Sequence, residues 1–131
     1  MRVVFDTNIF VSALVLPGGR ADEAMARILA GRDRLIVSKA IIRELLAVLA
    51  GKFSRDPEEL AHVAVYLAEI GELVRPGRRV KVLTDDSDNR ILETALTGRA
   101  DLIITGDHAM LKLGRYQEIG IISLREYLQK G

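Results

Sequence analysis

Short apolar runs rich in Val and Ile alternate along this chain with longer segments of helical period, and that alternation restricts the fold more than any other feature. Arg2–Phe5, Arg34–Val37, Asp101–Thr105 and Gly120–Ile122 read as strands, with Val80–Leu83 a weaker fifth. Ile9–Val15, Ala21–Ala30, Lys39–Lys52, Pro57–Ile70, Ser87–Leu96 and Leu124–Gln129 read as helices, with a short one after Asp107. Such alternation calls for a parallel sheet with helices on both faces. The expected fold is α/β, three layers α/β/α around a mostly parallel sheet of four or five strands. At 131 residues the chain reads as one domain, 1–131, with room for a substantial core.

Punctuation agrees. Ser38 is placed to cap the third helix, and Asp56-Pro57-Glu58-Glu59 supplies a cap, a first-turn proline and acids at the positive end of the helix dipole. Gly31, Gly71 and Gly98 follow helical segments as stops. The third helix runs into the fourth with no strand between, which predicts a helical hairpin inside the α/β alternation.

Composition then limits the chemistry. With no cysteine, thiolate metal sites are excluded, and only two histidines argue against a histidine-rich zinc site, so any metal is expected to be held by oxygen, as magnesium and manganese are. The net charge of +1 conceals a basic stretch, RPGRRVKVL, with Arg75, Arg78, Arg79 and Lys81. No apolar run approaches the ~20 residues of a membrane span. Asp6 interrupts the N-terminal apolar run, where no signal peptide is recognisable, so a cytoplasmic location is expected.

Acids break the apolar text at several places. Asp6 follows the first strand in FDTNIF, with Asn8 two residues on, and Asp107 follows a buried strand in DLIITGD. Glu44 has Ala40, Ile41, Ala47 and Val48 as its same-face helical neighbours, which places it in an apolar stripe. In TDDSDNRILETAL, Asp88 shares a stripe with Ile91, Leu92 and Ala95, while Asp85 and Asp86 suit a cap and a first-turn dipole partner. Glu93 points away from Asp88 on the same helix. Capping alone also accounts for Asp6, Asp88 or Asp107 taken singly; together, four acids from remote segments can converge on one rim of the sheet. Ligands of open α/β sheets gather outside the strands' carboxyl ends. Like charges so close call for cations, and magnesium or manganese ions meet that need.

The ordered set FDTNIFVSAL, SKAIIRELL, DDSDNRILETAL and DLIITGD resembles the PIN-domain family over nearly the whole chain. It looks most like the bacterial and archaeal branch that includes the toxin components (VapC) of VapBC-type toxin–antitoxin pairs. The resemblance implies a Mg2+- or Mn2+-dependent endoribonuclease that cuts single-stranded RNA. It puts Asp6, Glu44, Asp88 and Asp107 on the family's acidic quartet, as catalytic metal ligands, with Asn8 and Thr105 in support. Asp86 is the alternative to Asp88, and Glu93 matches an additional acid of some relatives. It also implies an antitoxin partner and a homodimer, for which the apolar excess in Ile9–Val15 and in the helical hairpin offers surface. Arg20, Lys39, Arg43, Arg78 and Arg79 are candidate RNA contacts, and three Phe with three Tyr make an extended stacking platform a poor expectation.

Two other classes compete. A magnesium-dependent phosphatase or phosphotransfer domain also places an Asp after its first strand, but wants a second acid where Asn8 stands. A PIN-like protein that works mainly by binding RNA or a partner protein needs no complete quartet.

Overall fold

The computed structural model describes residues 1–130. Its order is β1 (Arg2–Phe5), α1 (Thr7–Val15), α2 (Arg20–Leu29), β2 (Arg34–Ser38), α3 (Lys39–Phe53), α4 (Pro57–Ile70), β3 (Glu72–Val74), α5 (Asp86–Thr97), β4 (Leu102–Ile104), α6 (His108–Leu113), β5 (Arg115–Tyr116), β6 (Ile119–Ile122) and α7 (Leu124–Gln129). The strands form one sheet in the order β3-β2-β1-β4-β6-β5, parallel except for β5 against β6. The cores of the central strands, Val3–Phe5, Leu35–Val37 and Leu102–Ile104, are all buried. Strands buried on both faces need helices on both sides, so the α/β/α expectation holds.

The sheet has six strands, not four or five. β3 and β5 are short edge strands with partly exposed residues, so they carry no apolar run to be read. Conversely, Val80–Leu83 is not a strand. The Val80 N–H donates to Glu93 at 2.8 Å, and those of Val82 and Leu83 donate to Asn89 Oδ1 at 3.1 and 2.9 Å. Side chains of α5 thus satisfy the backbone that a sheet ladder would have used.

The helices fall where their signals stand. Ser38 Oγ accepts the Ile41 N–H, and Asp56 accepts the Glu59 N–H at 2.9 Å. The α3–α4 hairpin fills the crossover between β2 and β3. One topological fact positions everything else: from β1 the chain crosses to β2 and β3 on one side, then returns to place β4 on the other. The sheet's switch point therefore lies between β1 and β4.

Candidate active site

β1 and β4 run in register, Phe5 opposite Ile104, so Asp6 and Thr105 leave the sheet side by side. The Asp6 N–H donates to the Ile104 carbonyl at 3.0 Å. Thr105 is fully buried; its hydroxyl donates to Asp6 Oδ2 at 2.5 Å and accepts the Asp107 N–H at 3.0 Å. One hydroxyl thus ties together the acids that end two strands.

Each of those acids also caps a helix. Asp6 Oδ1 accepts the Asn8 N–H at 3.3 Å, and Asp107 Oδ2 accepts the Met110 N–H at 3.0 Å. Capping and a site role are compatible, because an ionised carboxyl has about four acceptor positions and a cap uses one. Burial separates Asp6 from an ordinary surface cap, since it is 5% exposed. That burial pushes its carboxyl above the ordinary range; hydrogen bonds from Thr105 and Asn8 oppose the rise, and the charge on Asp107 adds to it.

Asp88, in the first turn of α5, is 6% exposed. Its carboxyl is pushed up to about 7, first by burial and then by the negative charges of Asp107, Asp85 and Asp6. Acids from three elements therefore act on one another, and none has an ion-pair partner among the described residues.

Glu44 reaches the same rim by another route. Its Oε2 accepts the Thr7 hydroxyl at 3.1 Å, one residue from Asp6. It stands beside the apolar stripe rather than within it: α3 buries Ile41, Leu45 and Leu49, whereas Glu44 is half-buried and Ala47 exposed. Asn8 is exposed, and only its backbone bonds Asp6. Asp85 and Asp86 take the cap and first-turn roles, accepting from Ser87 and Asn89. Glu93 is buried but faces the other way, accepting from Val80 and pairing with Arg90 at 2.7 Å. His62 and His108 are exposed.

Thr7 is the member of this rim that the sequence reading missed. It is 3% exposed, and a buried hydroxyl next to Asp6 needs a partner, which was the available signal.

Among the described residues, no three His, Asp or Glu side chains close around one point as a finished metal cage. Donor chemistry nonetheless suits a hard divalent cation. Every donor is oxygen, Asp6 and Asp88 are buried, none is paired, and their mutual repulsion is expressed in the raised Asp88 carboxyl.

Fold and site together define an α/β protein with an acidic rim at the switch point of its sheet. The family model described as "PIN domain" matches residues 2–109, and the chain belongs to that family, whose members are typically nucleases. An uncharacterized protein of Methanocaldococcus jannaschii, MJ1680, is 26% identical over 95% of this chain and 84% of its own length. Among solved structures, the chain is similar to one in VapBC2 from Rickettsia felis bound to a DNA fragment from its promoter. That match has a TM-score of 0.68 and 16% identity over 94% of this chain and 98% of the other. It is also similar to a chain in VapBC-1 from nontypeable Haemophilus influenzae, with a TM-score of 0.62 and 20% identity over 95% and 99%. Both confirm the fold.

Proposed function

We propose that this protein is a Mg2+- or Mn2+-dependent endoribonuclease that hydrolyses phosphodiester bonds of single-stranded RNA, as the VapC-like toxin of a toxin–antitoxin pair, with residues 1–131 acting as one domain. The observation that carries the reading is the meeting of Asp6, Asp88 and Asp107, from three segments of the chain, with no ion-pair partner among the described residues.

Asp6, Glu44, Asp88 and Asp107 would hold the metal. When bound, a divalent ion supplies the positive charge that admits an anionic phosphodiester to a carboxylate site and stabilises the leaving oxygen. The chain's own residues prepare the rim. Thr105 fixes Asp6 against the Asp107 backbone, and Thr7 fixes Glu44. The negative charge of Asp107 helps to raise the Asp88 carboxyl, a repulsion that a divalent cation would relieve. Asn8, exposed beside Asp6, offers an amide to the substrate phosphate. Water as the nucleophile requires neither histidine nor cysteine.

An apolar groove offers surface to a protein partner. Phe10, Leu14, Met25, Leu29, Val63 and Tyr66 line an apolar groove between α1, α2 and α4, with Leu14, Leu29 and Tyr66 exposed. The similarity to chains of VapBC structures supports an antitoxin as a partner of this protein, and the groove offers surface for it or for a homodimer mate. Among the described residues no helix is long and apolar enough to cross a membrane, which fits a cytoplasmic protein. Family membership leaves the phosphatase alternative without support.

Purified protein incubated with labelled single-stranded RNA tests the proposal. Cutting is expected with Mn2+ or Mg2+, none with EDTA, and at least a ~100-fold loss in Asp6→Asn, an order of magnitude usual when a catalytic interaction is removed. Equal cutting by wild type and a folded Asp6→Asn, or cutting unaffected by EDTA, overturns it. No cutting of any RNA, with metal lacking effect on melting, favours the RNA- or partner-binding role.

A further inference from the structure

A second feature of the carboxyl rim lies beside the acids, above β2 and β3. The loop that follows β3 carries Arg75, Arg78 and Arg79 into a groove completed by Lys39, the first residue of α3, and by Arg90 and Glu93 of α5. Arg90 is neutralised by Glu93, as their 2.7 Å contact shows. Lys39, Arg75, Arg78 and Arg79 have no ion-pair partner among the described residues. Five cations against one acid leave the groove at +4, in a chain whose formal total is only +1. So local an excess is an electrostatic footprint for a polyanion.

The groove is built rather than incidental. Beyond the arginines, the loop is fastened to α5 through Val80 on Glu93 and through Val82 and Leu83 on Asn89. The same helix carries Asp88, one residue before Asn89 and two before Arg90. Lys39 likewise begins the helix that carries Glu44. Basic groove and acidic rim therefore share two rigid elements and lie over neighbouring strands, whose spacing is ~4.8 Å. Arg20 and Arg43, expected to join these contacts, do not line the groove.

We propose that this groove is the path of the RNA backbone on the β3 side of the cutting site, with Lys39, Arg75, Arg78 and Arg79 each neutralising a phosphate of the single strand. The inference rests on the ribonuclease reading and deepens it by fixing on which side of the acids the uncut strand lies. Contacts of this kind read charge rather than base identity, so affinity is independent of sequence and strongly dependent on salt.

The test is binding of a fluorescent single-stranded RNA to the full chain in EDTA, across a salt series, for wild type and Arg78→Ala/Arg79→Ala. Lys52→Ala/Arg99→Asn, at exposed positions in the last turn of α3 and just after α5, removes the same charge away from the groove lining. The groove variant is expected to bind roughly tenfold more weakly, with a salt slope shallower by about 1.4, while the control binds nearly as wild type does. Hydrolysis of bis(p-nitrophenyl) phosphate with Mn2+, a substrate too small to span the groove, should be unchanged in the groove variant. Equal weakening in both variants, or wild-type affinity and slope in Arg78→Ala/Arg79→Ala, overturns the proposal. So does a groove variant that captures RNA normally but loses affinity for a protein partner. If wild type hydrolyses neither substrate, the ribonuclease reading fails while the binding comparison still decides the groove.

Discussion

Asp6 serves two structural partners with its two oxygens, capping α1 with one and accepting the Thr105 hydroxyl with the other. What remains unmet is its charge, and the same holds for Asp88. Both carboxyls titrate above the ordinary value of about 3.9. The folded state therefore holds these protons more tightly than the unfolded chain does. Their stabilising contribution is full below about pH 4 and is lost as pH rises through the folded-state value, about 7 for Asp88. In EDTA, the melting temperature of wild type should fall between pH 5 and pH 8 by more than that of Asp88→Asn, whose amide cannot ionise. Identical profiles for the two proteins would remove Asp88 from the repulsive cluster. At this scale much was legible. An acid that ends a buried apolar run announces itself, which is why Asp6 and Asp107 stood out, whereas Thr105 came only from the family resemblance. Thr7 did not, because a threonine opening a helix is ordinary until its partner on another helix is known. Glu44 was found from its neighbours, yet its actual depth depended on how α3 rolls against the sheet, which a helical pattern alone leaves open by one residue position.

Among the elements, α5 has the widest responsibilities. It presents Asp88 to the acidic rim while Asn89 and Glu93 hold the loop from Val80 to Leu83. Asn89 is fully buried and engages Val82, Leu83 and Asp86 through four hydrogen bonds. Asn89→Ala would leave those backbone groups without partners, at a cost of about 2–3 kcal/mol in urea unfolding, given the penalty for an unmet buried donor or acceptor. A loss below ~0.5 kcal/mol would show that the loop does not depend on α5. This element also marks where the sequence reading failed. Val80–Leu83 has strand composition, but local residue preference cannot reveal that side chains six to thirteen positions downstream will occupy its N–H groups. β3 and β5 escaped for the opposite reason, being too short and too exposed to leave a pattern.

For the whole molecule, chain order made the site. Returning to the far side of β1 after β3 opens the switch point between β1 and β4, and the acids of both strands meet there with Asp88 delivered by α5. The alternation of strands and helices foretold the parallel sheet; convergence of remote acids followed from it, because parallel strands all end on one rim. The apolar groove on α1, α2 and α4 is lined by none of Asp6, Glu44, Asp88 and Asp107. Calorimetric titration of the metal-free protein with Mn2+ tests the central claim, that this rim is a cation site, most directly. Saturable binding by wild type, abolished in Asp6→Asn and in Asp88→Asn while both variants stay folded, is the expected result. Absence of binding by wild type, or equal binding by a folded Asp6→Asn, would contradict it.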